Sequence, residues 1–166
     1  MTDTVATPTT TIPAVSNPDL ATGVAQFLSP LVVNLQALAV DGKQAHWHVR
    51  GANFIAVHEL LDEVVEHAQE FADTAAERVV ALGLPIDARI QTVAAKTTTA
   101  KLTGGFQRAE AVIAEIVAGI DQTLELVRKA VLELGPIDPA SQDVAIGIQR
   151  GLEKDRWFLF AHISEV

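Results

Sequence analysis

Histidine and carboxylate crowd one short stretch of this chain. From Ala45 to Glu63 the sequence reads AHWHVRGANFIAVHELLDE, and three of the chain's five histidines fall inside it. Imidazole and carboxylate together suit a first-row divalent metal ion. Such an ion needs several donors within about 2.5 Å of one point. Further on, Asp73 and Glu77 repeat the i,i+4 spacing of His58 and Asp62. On a helix turning about 100° per residue, Asp62, Asp73 and Glu77 lie about 40°, 60° and 100° round from His58, so all four share one stripe. The stripe is broken, however. From Asp62 to Asp73 the helix climbs about 16 Å, too far for one ion to take both pairs. Either the chain holds two sites, or two copies pair antiparallel. Pairing lays His58 and Asp62 of one copy against Asp73 and Glu77 of the other, and a two-fold axis makes two equal sites.

An interior alternative can be tested on the residues. Two irons held inside a four-helix bundle draw on Glu-x-x-His motifs from two helices. The residues three before the five histidines are Lys43, Ala45, Ile55, Val64 and Leu159, and none is Glu. The interior site is missing, and the shared site gains weight.

Long helices must position these groups. Asn17 is placed to cap a first helix with Pro18 at its first position. Leu20, Val24, Phe27, Leu28, Leu31, Leu35 and Leu38 then recur at helical spacing to about His48. Asn53 is placed to cap a second helix, stopped by Gly83 and Pro85. A looser segment from Leu84 to Gly105 has room for one short helix around Ala88 to Ala95. A third long helix is expected from about Phe106 to Leu134. A fourth, capped by Asp138 with Pro139 at its first position, runs to about Ser164. No strand pattern competes. Two short connections and one long crossover predict an all-α, ferritin-like four-helix bundle, the long crossover connection containing the short helix.

Composition sets the broad class. Hydrophobic residues make up 49% and charged residues 20% of 166 residues, which fits one globular domain from 17 to 166 behind a flexible Thr- and Pro-rich tail over 1–16. The opening residues lack the basic and apolar regions of a secretory signal, and no apolar run reaches the length of a membrane span. A cytoplasmic protein with no membrane role is the expectation. Cys and Tyr are absent and the one Met is the initiator, so disulfides and thiolate metal sites are excluded. Loss of readily oxidised side chains fits a life beside peroxide or redox-active metal, though drift in an Ala- and Val-rich composition gives the same result.

The segment KQAHWHVRGANFIAVHELLDEVVEHAQEFADTAAERVVALG, Lys43 to Gly83, resembles the signature of the Dps family, the twelve-subunit mini-ferritins. The family pattern is matched at His46, His58, Asp62, Asp73 and Glu77, and GLEKDRWFLFAHI resembles the family's last helix. His48 departs from it, standing where Asn is common; on a helix it faces away from His46. The resemblance implies a hollow homododecamer that oxidises Fe(II) with hydrogen peroxide, or oxygen, at two-fold interfaces and stores ferric mineral inside. Iron is thus the implied metal. His46, His58 and Asp62 of one chain would face Asp73 and Glu77 of its partner.

Other residues have two readings each. Trp47 is an electron donor or radical sink near the iron, or it packs an interface. Glu59 and Glu63 match cavity positions that nucleate mineral, or they belong to a solvated acidic face with Glu66 and Glu70. Asp143 matches the acidic lining of an iron-entry pore, whereas Asp138 serves as a cap. Lys43, Arg50 and Asp41 are expected to brace the site through ion pairs. His67 and His162 are read as structural.

Two other functions stay open. The same ligands could activate water in a metal-dependent amide or ester hydrolase, although no substrate pocket or oxyanion donor is evident. The chain could also be a DNA-protecting nucleoid protein. Against that, the first 42 residues carry no Lys or Arg and the chain ends AHISEV, so DNA binding is expected to be weak or absent apart from local patches at Arg89, Lys96 and Lys101.

Overall fold

The computed structural model describes residues 17–164; the tail over 1–16 and the last two residues lie outside it. Four long helices form the bundle: α1 (Pro18–His48), α2 (Phe54–Ala81), α4 (Ala109–Leu134) and α5 (Pro139–Ala161). A short helix, α3 (Ile90–Lys96), lies in the crossover. Helices α1 and α2 form one hairpin and α4 and α5 the other, with α1 also packed on α4 and α2 on α5. Val24, Leu28, Leu31, Leu35 and Leu38 of α1 are buried in the shared core with Ile113, Ile116, Ile120 and Leu124 of α4. The ferritin-like architecture is therefore as the pattern predicts.

Caps fix the ends. The Asn17 side chain accepts from Asp19 N at 2.9 Å, and Asp138 accepts from Ser141 N at 3.1 Å. At Asn53 the expectation fails: its side chain makes no capping bond, and Phe54 N donates to Gly51 O at 3.1 Å instead. Gly51 stands at φ 119, in the left-handed region where a side chain is strained, which lets the chain reverse between α1 and α2.

The third long helix starts at Ala109, three residues later than expected. Gln107 and Arg108 (β2) instead run extended and pair in parallel with Val49 and Arg50 (β1). This two-residue ladder is a local addition to the all-α bundle that no strand pattern in the sequence announced. It ties the end of α1 to the start of α4, so the crossover must travel the length of the bundle. The last helix ends at Ala161, short of Ser164. Buried Asn34 pins the crossover to α1: its amide donates to Thr98 Oγ1 at 2.8 Å, and its oxygen accepts from Thr98 N at 3.0 Å and from Thr97 Oγ1 at 3.2 Å.

Against the hydropathy expectation, α1 does contain a window long and apolar enough to cross a membrane by composition alone; 56% of that window is buried inside the bundle, as in a core helix.

Large apolar side chains are left exposed on every helix, among them Val40 and Trp47 of α1, Ile55 and Val80 of α2, Ile90 of α3, Leu132 of α4 and Trp157 of α5.

Candidate metal centre

The end of α1 and the start of α2 interlock through two imidazoles. His46 Nδ1 lies 2.8 Å from the His58 carbonyl oxygen, and His58 Nδ1 lies 2.9 Å from the His46 carbonyl oxygen. A carbonyl only accepts, so both rings carry their proton on Nδ1 and leave Nε2 as a bare lone pair. The backbone thus holds each neutral ring in the tautomer that can bind a metal through Nε2. The rings stack with centroids 3.6 Å apart and 22° between planes. His46 is buried and His58 half-buried, so neither ring turns freely.

Asp62 joins them. Its Oδ1 meets Lys43 Nζ at 2.5 Å and His46 Nδ1 at 3.2 Å. The Lys43 hydrogen bond is the main influence on this carboxyl and outweighs the opposing effect of burial, so Asp62 stays ionised below the ordinary range. Both contacts use one oxygen, leaving Oδ2 free among the described residues. His46, His58 and Asp62 are thus neighbours, each held by a hydrogen bond, but within one chain their donor atoms do not converge on one ion position among the described residues, since Asp62 meets His46 on its Nδ1 side.

Asp73 and Glu77 do not come near it. Both are exposed on α2 and make no side-chain hydrogen bond or ion pair among the described residues. Among those residues, no three His, Asp or Glu side chains of one chain converge on a single ion position. The helix between them and Asp62 is continuous, so the gap of about 16 Å stands. Glu59, Glu63 and Asp143 are likewise exposed. Trp47 projects outward with 58% of its surface exposed.

Of the bracing residues, Lys43 acts as expected. Arg50 does not: its guanidinium lies 4.1 Å from the Phe106 ring centroid and donates to Val49 O. Asp41 has no ion-pair partner among the described residues, and burial pushes its carboxyl up. Its apolar cleft between α1 and the crossover, which includes Val40, Ile90 and Leu102, holds about 490 Å³. His48 faces Gln44 and Phe106, away from His46.

Sequence reasoning missed two arrangements. The exchange of ring and carbonyl between His46 and His58 depends on how two helices cross, which spacing along the chain does not encode. The bond from His67 Nδ1 to buried Asp155, at 2.9 Å, joins residues on α2 and α5, and no local signal links them.

Known proteins share this arrangement of helices. Residues 26–166 match the family model for the ferritin-like domain. The DNA protection during starvation protein of Agrobacterium fabrum is 32% identical over 140 residues, covering 84% of this chain and 86% of its own length. A second relative, DNA protection during starvation protein 2 of Deinococcus radiodurans, is 31% identical over 93% of this chain, which spans 64% of that relative's length. Among solved structures, Dps from Microbacterium arborescens in its high iron form is 57% identical, with a TM-score of 0.88 over 90% of this chain and 98% of that one. With a ferritin-like bundle and relatives of this kind, the chain belongs to the Dps family of ferritin-like proteins.

Proposed function

We propose that this protein is an iron-storing ferroxidase whose reaction centre is completed by a second copy of the chain. The observation that carries this reading is an incomplete half-site: two imidazoles preset to offer Nε2, Asp62 next to them, and no three such donors converging within one chain among the described residues. Asp73 and Glu77 lie on the same side of α2, one helix stretch away, where an antiparallel partner would bring them opposite. Mixed imidazole and carboxylate ligands suit Fe(II), and the carboxylates favour the Fe(III) product. Two Fe(II) give one electron each to hydrogen peroxide, the O–O bond breaks, and two hydroxides form. Paired delivery avoids a free hydroxyl radical. Oxygen is the slower alternative oxidant. Trp47 sits beside the half-site as the nearest indole to intercept stray oxidising equivalents.

The exposed apolar side chains on every helix, Trp47, Ile90 and Trp157 among them, support burial against further copies in a closed shell of twelve. The cleft beside Val40 and Ile90, and a second hollow of about 420 Å³ lined by Trp47, Lys43 and Gln69, flank the half-site where a two-fold partner would seat. In such a shell Glu59 and Glu63 serve mineral nucleation and Asp143 serves a cation entry path. A cytoplasmic role follows from the same reading.

Mixed assemblies test the shared site. Asp73→Ala and His58→Ala chains are each inactive alone. Refolded together at equal amounts, they restore about a quarter of the wild-type sites, since a mixed pair holds one intact site. Mixtures as inactive as both parents would falsify the sharing of ligands.

DNA protection through tight binding is not part of this reading. Twelve copies at −9 each carry about −108, which repels phosphate. Of the basic residues in the crossover, Arg89 is already paired with Asp87. No retarded complex is expected in a gel shift at neutral pH, moderate salt and sub-micromolar shell without divalent metal; a clear one overturns the expectation.

A further inference from the structure

Helix α2 carries a second polar stripe that the iron reading leaves largely unexplained. His67 follows His58 by nine residues, about half a turn round at 100° each, so the two rings lie on opposite flanks. His58 meets α1; His67 meets α5. There its Nδ1 lies 2.9 Å and 3.1 Å from the two oxygens of Asp155. Asp155 is 2% exposed, whereas the His67 side chain is 35% exposed. The carboxylate behind the ring fixes the Nδ1–H tautomer and leaves Nε2 with no hydrogen-bond partner among the described residues.

A plain brace between helices does not need a buried carboxylate. An Asn oxygen would accept the same hydrogen bond without taking a charge out of water. Burial indeed pushes the Asp155 carboxyl up, and the His67 hydrogen bond works against that. What a carboxylate adds is basicity at the far ring nitrogen, the role such groups play behind metal-bound histidines. Two carboxylates neighbour His67 along the surface of α2. Glu63 is one helical turn before His67 and Glu70 nearly one turn after, on the same face. Both are exposed, and neither side chain has a partner among the described residues. Lys154, next to Asp155, lies over the Phe158 ring at 5.3 Å instead of pairing with them.

We propose that His67 Nε2 and the Glu63 carboxylate bind a divalent first-row transition metal ion, with Asp155 as the positioning residue behind the imidazole. Water fills the remaining positions, and Glu70 is a further carboxylate on the same face of α2. This site is separate from the shared centre: it uses the other flank of α2 and one chain only.

Cobalt(II) is the probe, followed by its visible d–d absorption and by the number of ions bound per chain in the assembled protein. The background is Asp73→Ala, which opens the shared centre, so the outcome does not depend on that centre working. Adding His67→Gln to this background removes one Co(II) per chain; the glutamine amide still donates to Asp155, which preserves the fold. Adding Asp155→Asn instead weakens that same binding step about tenfold. An unchanged Co(II) count and spectrum after His67→Gln, with thermal unfolding alike, overturns the proposal and leaves His67 and Asp155 as a brace. A count that falls by one with an unchanged unfolding temperature supports it.

Discussion

The two ends of the α2 polar stripe are built in contrasting ways. At the N-terminal end, His58 is clamped to the His46 carbonyl, His46 to the His58 carbonyl, and Asp62 to Lys43. At the C-terminal end, Asp73 and Glu77 are exposed and have no side-chain partner among the described residues. Yet the backbone there is held as firmly. Arg78, next to Glu77, donates to Asp138 at 2.6 Å and to Ser141 at 2.9 Å, which pins the last turns of α2 to the start of α5. One end therefore presets its side chains, and the other presets only the rod that carries them. Nitrogen donors with a fixed tautomer must be oriented in advance. Carboxylates on a rigid helix can be oriented by the ion itself, because both oxygens accept from any side.

Substitutions at the two ends can break this contrast. His46→Ala lowers peroxide-driven Fe(II) oxidation by on the order of 100-fold or more, since loss of an outer-shell partner alone costs about 10–100-fold. It also destabilises the fold by about 1–3 kcal/mol, through the His58 carbonyl left without the His46 ring donor and the hollow left between α1 and α2. Glu77→Ala lowers oxidation to a similar degree but shifts stability by no more than about 0.5 kcal/mol, as for an exposed side chain. Stopped-flow oxidation and thermal unfolding on both variants measure the two effects. Equal stability losses would show that the carboxylate end is as preset as the histidine end.

Asp138→Ala tests whether the rod matters. Loss of the cap and of its Arg78 contact costs about 1–2 kcal/mol at neutral pH. Burial alone would raise the Asp138 carboxyl, but the Ser141 and Arg78 hydrogen bonds outweigh it and hold it below the usual carboxylate range. A depressed folded-state pKa contributes stability above the unfolded value of about 3.9, and that contribution fades as pH falls through the folded value. The difference between wild type and variant should thus shrink in strong acid. A gap that is constant with pH would assign the whole effect to the neutral cap.

Lys43→Met has the smallest expected effect. Lys43 is the chief reason the Asp62 carboxyl is held down. Without it, Asp62 takes up its proton at higher pH, so the acid limit of metal binding moves toward neutrality while binding at pH 7 persists. Metal titrations across pH read this directly; an unmoved acid limit would remove Lys43 from the centre.

Much of this was legible along the chain because helices write their own periodicity. The spacing of Leu28, Leu31, Leu35 and Leu38 marks the buried face of α1, and Asn17 and Asp138 mark helix starts through local hydrogen bonds. The gap between Asp62 and Asp73 follows from helical rise alone, so the incompleteness of the centre is a property of the sequence. Other features depend on groups that meet only after folding. Whether Asn53 makes its cap was decided by the left-handed turn at Gly51, and the start of α4 by the pairing of residues 107–108 with 49–50. The tautomers of His46 and His58 depend on how α1 crosses α2, and the role of His67 depends on a carboxylate on another helix. Sequence alone determined which donors exist and how far apart they stand along each helix, because those are properties of a single rod. Only the tertiary structure decided which nitrogen of each ring is bare, because a tautomer is set by whatever accepts the proton on the other side.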